Sequence, residues 1–430
     1  MQELDGSDGM SAVLETSADA KAAYDARWKR TMDCVALKQP DRMPVTLFGT
    51  FWLAKYAGVS HRQLMYDLDG TAAIAERVVR DLDPDSVSPL VLQTAMGPTL
   101  DATGYKQLQW PGAGVGDHQP YQYLDREYMK PEEYEDFIFD PTGYYLRVYL
   151  PRIMGCFEGF SEFPMLPGGF YFRMFGNIRG FASEALQKSW ADVLNAAKVS
   201  QQLGDRNAAF IARMAELGYP MGNIATSGAP FDVLGDYFRG ARGILTDMRR
   251  RGDKLLEACD KMRVLLVRQV VPAAKASGNP IVFIPLHWAP DAFMSEQQFR
   301  TYWWPSFRQM MLDLMAEDLI PMPMWESDCT KRLEIIKDIP AGKAIYWFER
   351  ADMVRANEVL GDIVALRGNV SPSLLTTGTP EDVDGAVKYL VDNVYNKGGR
   401  LILDAAFGLP DETPVENVRA MFHAARKYTG

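Results

Sequence analysis

The chain has 430 residues, 47% of them hydrophobic, a formal net charge of -10 and a pI near 5.1. This acidity, without a basic stripe to track phosphates, argues against nucleic-acid binding. No stretch reaches the ~18 apolar residues of a membrane span. The small, acidic N-terminus lacks the basic start and apolar core of a signal peptide. The four cysteines, Cys34, Cys156, Cys259 and Cys329, show no paired ligand spacing, so a reduced cytoplasmic setting is expected.

Residues 1–19, rich in Gly, Ser, Asp and Glu, are expected to be disordered, and 20–430 to form one domain. Ala20 to Ala36 reads as a helix leading into "KQPDRMPVTLFG", the first buried strand. A helix over Gly70 to Asp81 precedes "DSVSPLVLQ", the second. From about residue 95 to 175 the crowding of Gly, Pro, Tyr and Phe points to loops and insertions. Beyond about residue 217, "NIATSGAPF", "PIVFIPLHW", "LIPMPMWES", "AIYWFER", "IVALRGNV" and "RLILDAAFG" alternate with amphipathic helices. Continuous apolar strands between such helices mark a covered parallel sheet. Ser295 with Gln298, and Thr413-Pro414 with Glu416, read as capping boxes. Pro305 is expected to kink its helix.

No Gly-rich dinucleotide turn follows any strand, so the alternation favours a closed barrel over a doubly wound sheet. The expected fold is α/β: a (β/α)8 TIM barrel with an N-terminal helical extension and loop insertions. In such a barrel the chemistry sits at the C-terminal strand ends.

"GDIVALRGNVSPSLLTTGTPEDV" followed by "GGRLILDAAFGLPDETPVENVRAMFHAARKYTG" resembles the uroporphyrinogen decarboxylase superfamily, as do "LKQPDRMPV", "SGAPFDVLGDYFRG" and "FMSEQQFRTYWWPSFRQMM". In character the chain is most similar to the corrinoid-dependent methyltransferase-like members. The resemblance implies an α/β barrel, a homodimer, and a pocket at the strand ends. The paired arginines that hold porphyrin carboxylates have no counterpart in "LFGTFWLAKYAG", and Ala406-Phe407-Gly408 replaces a histidine turn. The zinc ligands of the thiol-methylating branch correspond to Trp325, Ser327 and Phe407, so that ligand set is gone.

Strand ends supply His287, Glu326, Asp328 and Glu349 as candidate catalytic groups, acting as general acid or base. Arg350, Asn369 and Asp404 join them as substrate-binding candidates. So do the aromatics Phe51, Trp52, Trp288, Trp325, Trp347 and Phe407, read as walls for a flat apolar ligand. His287, Glu326 and Asp328 form an alternative divalent-metal ligand set. Gly168 to Gly176 reads as an aromatic lid.

The leading expectation is removal of a methyl group from a small methoxylated aromatic. The acceptor is then a corrinoid (cobalamin) on a separate protein, because the chain has no Asp-x-His-x-x-Gly motif and no tightly bound cofactor is expected. Two alternatives stay open: a lyase or decarboxylase of a small carboxylate clamped by Arg350 or Arg367, and a non-catalytic ligand-binding barrel.

Overall fold

A computed structural model describes residues 17–165 and 171–430. Eight short parallel strands close into a TIM barrel: β1 (Thr46–Leu47), β2 (Ser86–Val87), β3 (Ala225–Thr226), β4 (Ile281–Leu286), β5 (Ile320–Trp325), β6 (Ile345–Phe348), β7 (Ala365–Arg367) and β8 (Leu401–Ile402). Ladders join β1 to β2 and β3 through β8 in sequence order. Two backbone seams complete the circle. Thr46 N donates to Leu403 O (3.0 Å) and Leu403 N to Pro44 O (2.8 Å); Val87 N donates to Pro220 O (3.1 Å) and Gly222 N to Val87 O (2.9 Å).

Prolines thin the barrel wall at defined seams. In a parallel strand alternate residues bond to opposite neighbours. Glu349 N donates to Trp325 O, so the odd-numbered residues of β5 face β6. Pro321 and Pro323 lie on that side without N–H groups, and β5 pairs with β6 only at Met324↔Trp347 and Trp325↔Phe348. The β3–β4 seam ends similarly. Ser227 N donates to Phe283 O, and the next residue of β4 facing that side is Pro285, which has no N–H.

The N-terminal helix runs Ala18–Val35, capped by Ser17 Oγ accepting from Ala20 N (3.1 Å). It starts two residues before Ala20, so Ser17–Asp19 are ordered; the rest of the stretch expected to be disordered, 1–16, lies outside the described residues. Its last turn packs Cys34 and Val35 against Ile281, Ile320, Ile345 and Ala365, closing the N-terminal end of the barrel.

Several local expectations are revised. In "DSVSPLVLQ" only Ser86–Val87 is strand, and Leu90–Thr94 is helical beyond Pro89. The 95–175 region carries short helices and a three-stranded sheet of Leu108–Pro111, Gly114–Val115 and Gln122–Tyr123. The Ser295–Gln298 capping box forms, whereas Thr413 is buried with its hydroxyl unpartnered and makes none. Pro305 sits in the first turn of a helix, Trp304–Ala316, that follows a wide turn in which Trp304 N donates to Phe299 O. That i→i+5 turn absorbs the break the proline imposes. Of the expected lid, residues 168–170 lie outside the described residues; the rest falls in a helix, Tyr171–Ile178, with Phe172 and Phe175 exposed. Among the described residues no helix is long and apolar enough to cross a membrane.

Candidate active site

Side chains alternate inward and outward along each barrel strand. The inward series is fixed by the interior cluster of Ile281, Phe283, Met322, Met324, Trp347 and Ile402, with Phe48 packed against it. Continued at period two to the C-terminal ends, the same face carries His287, Glu326, Glu349 and Asp404. The contacts agree, for His287 Nε2 lies 3.3 Å from Glu326 Oε1.

His287 is the hub. Its Nδ1 is 2.5 Å from Asp236 Oδ2, and Asp236 Oδ1 accepts from Trp288 Nε1 (2.8 Å). The backbone N–H of His287 donates to Asp232 Oδ2 (2.7 Å), whose Oδ1 accepts from Trp303 Nε1 (2.5 Å). Asp232 and Asp236 come from the helix Pro230–Val233 and the wide turn Leu234–Arg239 that follow β3. Burial opposes charge on His287, but the Asp236 and Glu326 carboxylates outweigh it and hold the imidazole at about 11. It is therefore an imidazolium at neutral pH. Burial, then the neighbouring Asp236 charge, pushes the Asp232 carboxyl well above the usual carboxylate range.

Glu326 is raised above the ordinary carboxylate range by burial, with His287 opposing and Glu349 reinforcing. Its Oε1, although 3.3 Å from the imidazole, has no aligned hydrogen-bond partner among the described residues, so the contact is an ion pair with spare acceptor capacity. Glu349 accepts from Ser327 N (2.5 Å) and pairs with the exposed Arg350 at 3.3 Å. Asp328 Oδ1 caps the next turn by accepting from Thr330 N (2.9 Å). This corrects the expected metal set of His287, Glu326 and Asp328. Asp328 is committed to its own turn, both imidazole nitrogens face carboxylates, and among the described residues no three His, Cys, Asp or Glu side chains are arranged to hold a metal.

Asp404 is buried and bound to Arg367, its Oδ2 accepting from Nη2 (2.6 Å) and Nε (2.9 Å); the guanidinium lies 3.8 Å over the Trp347 ring. Burial draws Asp404 up to about 6 and Arg367 down, while their mutual attraction opposes both shifts. The geometry of a doubly hydrogen-bonded pair favours the ionised form. Asn369 donates to Ala351 O (2.9 Å) and organises its own turn.

The aromatic candidates separate by face. Trp347 lies inside the barrel with Phe48 and Phe283. Trp325 points outward into the helix layer against Trp303, Trp304, Phe307 and Tyr346, which corrects its expected place on the pocket wall. Trp288 also belongs to the outer layer, packing on Phe231 and Phe293 while reaching Asp236 through its N–H. Trp52 is buried, donating to Thr413 O (2.8 Å). Phe51 is buried edge-on against His61 and Tyr121. Phe407 stands half exposed on the β8 loop.

Tyr123, from the inserted sheet, packs edge-on against Tyr237 (6.2 Å), and both phenols are pushed up by burial and the nearby Asp236 charge. Asp232, Asp236, Tyr123 and Tyr237 were not among the candidates drawn from strand-final residues. The available signal was the D-x-x-x-D spacing in "PFDVLGDYF", which sets two carboxylates one helical turn apart.

A cavity of about 390 Å³ opens beside this cluster, where the β3–β4 ladder has ended. Asp232, Asp236 and His287 form one wall, and Leu266 and Val270 of the helix Gly252–Ser277 form the other.

Residues 195–428 match the family model described as uroporphyrinogen decarboxylase (URO-D). Uroporphyrinogen decarboxylases of three Coxiella burnetii strains are 31% identical over 78 residues, 18% of this chain and 21% of theirs, so the match spans about a fifth of those relatives. A solved structure, a methyltransferase from Methanosarcina mazei, superposes with a TM-score of 0.62 over 94% of this chain and 99% of that one. At 16% identity this likeness concerns the fold.

Proposed function

Because the chain belongs to the uroporphyrinogen decarboxylase family, whose barrel is shared by the decarboxylases and the methyltransferase it resembles, we propose that it is a methyltransferase-like enzyme of that barrel. It removes the methyl group of a small methoxylated aromatic. The observation that carries this reading is the His287 imidazolium, held between Asp236 and Glu326 at the strand ends above an interior of Phe48, Phe283 and Trp347. When an aryl methyl ether loses its methyl group, the C–O electron pair stays on oxygen. That developing charge needs a proton, and the His287–Glu326 pair holds one.

A corrinoid carried by a separate protein would supply the two-electron nucleophile for the methyl group. Asp236 orients the imidazole and keeps it charged. Trp347, Phe48 and Phe283 exclude water. The four cysteines are buried and unpaired, which supports a reducing, cytoplasmic setting.

The small-carboxylate lyase draws less support. It needs a free guanidinium, whereas Arg367 is bound to Asp404 and Arg350 lies at the exposed rim beside Glu349.

Incubation with a reduced corrinoid protein and a panel of methoxyarenes tests the proposal. Methylation of the corrinoid, read by its absorbance, and loss of ~10²-fold or more in rate for Glu326→Gln are expected. No spectral change with any donor would overturn it.

A further inference from the structure

The cavity beside His287 lies between the ends of β3 and β4 and the helix Gly252–Ser277, and its charged lining all comes from the strand-end side. Asp232, Asp236 and His287 line it from the β3 and β4 ends beside Thr226 and Ser227, and the helix Gly252–Ser277 contributes Leu266, Val270 and Ala273 with one polar, uncharged side chain, Gln269. Among the described residues no Lys or Arg lines it. The one cation there, His287, already faces a carboxylate from each nitrogen, Asp236 at 2.5 Å and Glu326 at 3.3 Å. An incoming carboxylate would therefore meet like charges and find no unpaired donor cation. The opening is built into the strand sequence, because Pro285 cannot extend the β3–β4 ladder past Ser227. Its volume, about 390 Å³, is at the small end of the ~300–1,000 Å³ typical of ligand sites.

From these features we propose that the lateral cavity between the β3 loop and the helix Gly252–Ser277 is the donor-binding subsite. It takes a neutral, single-ring aryl ether edge-on to the His287 imidazolium and rejects aryl carboxylates. Tyr237 lines the same cavity and adds an aromatic side chain to its wall. Leu266 and Gln269, which line the cavity from the helix Gly252–Ser277, set its size and its charge tolerance. This deepens the methyl-removal reading and rests on it for the ligand's class.

The test uses the full chain and reads binding by calorimetry, with methoxybenzene and 4-methoxybenzoate as probes. Methoxybenzene should bind at least ~10-fold more tightly than the carboxylate, since like-charge contacts strongly disfavour binding. Leu266→Trp, which fills the cavity, should weaken methoxybenzene by ~10-fold or more while the far-ultraviolet circular dichroism and Tm are kept. Gln269→Lys, a second variant that fills no space, should narrow the gap between the two probes by tightening 4-methoxybenzoate.

Equal binding of the two probes, or unchanged methoxybenzene affinity in a folded Leu266→Trp variant, would overturn the subsite. If methoxybenzene binds and Leu266→Trp blocks it but no methyl transfer is ever seen, the subsite stands and the proposed reaction falls. If transfer proceeds unaffected by Leu266→Trp, the reaction stands and the donor sits on the barrel axis.

Discussion

Glu326→Gln offers a direct test of the electrostatics at the strand ends, independent of any substrate. Two unit charges 3.3 Å apart, the separation of His287 Nε2 and Glu326 Oε1, interact by ~5 kcal/mol at an effective dielectric of ~20. The His287 side chain is 38% exposed, however, so solvent screening must discount this. A figure of ~1–3 kcal/mol, or ~1–2 pKa units, is the expected effect of removing the charge. The imidazole, held at about 11 with both carboxylates present, should therefore titrate ~1–2 units lower in the variant, yet still above an ordinary histidine because Asp236 remains.

Histidine proton resonances followed across alkaline pH measure this. The chain has only four histidines, and a His287→Gln sample assigns the signal. The linkage sign follows from the raised pKa. The stabilisation from charged His287 is fully present below the ordinary value of 6.5 and is lost as pH rises toward about 11. In Glu326→Gln that loss should be complete at a lower pH. An identical titration midpoint in the two proteins would refute the reasoning and mean that the ion pair carries no weight in solution.

Two stability predictions probe the barrel. Arg367→Met should leave Asp404 buried without its partner, at a cost of ~3–5 kcal/mol. With ~2.1 cal/mol/K of unfolding entropy per residue over 430 residues, that is a Tm drop of ~3–6 °C. Asp404 is already raised from 3.8 to about 6 by burial, so its contribution is present below 3.8 and lost as pH rises through 6. Without Arg367 its pKa rises further, and the variant's Tm should keep falling between pH 6 and 8. Calorimetric scans check both points, and Arg367→Met/Asp404→Leu should recover most of the loss. Trp325→Ala should cost ~3–5 kcal/mol through the cavity it leaves in the outer layer. Phe407→Ala, at a half-exposed ring, should stay within ~0.5 kcal/mol; comparable Tm losses for the two would contradict the assigned faces.

The barrel was legible because its defining signal, apolar strands alternating with amphipathic helices, is written in long stretches such as Ile281–Leu286 and Ile320–Trp325. For its shortest strands the position was legible, inside "DSVSPLVLQ" and "NIATSGAPF", but the extent was not. Ser86–Val87 and Ala225–Thr226 are two-residue segments held by neighbours, and "PLVLQ" beyond Pro89 carries apolar residues that serve a helix equally well. Asp232 and Asp236 escaped because they follow the third strand at a helix start, outside a search confined to strand-final residues, and their role depends on His287, more than 50 positions on.

The aromatic wall shows a different limit, one the strand geometry itself resolves. Neighbouring residues of a strand point to opposite faces, so Trp325 and Glu326 cannot both look into the mouth, nor can His287 and Trp288. Once His287 and Glu326 are in contact, Trp288 and Trp325 are assigned to the helix layer, where both lie. The same rule places Trp347, two residues before Glu349, inside, where its ring meets the Arg367 guanidinium. A rim that reads as a continuous band of rings in one dimension is thus two surfaces in three. Its inner surface is a charged cluster on an aromatic floor. That division leaves His287, with a carboxylate facing each ring nitrogen, as the one cation beside the lateral cavity, and the proposed preference for neutral rings rests on that pairing.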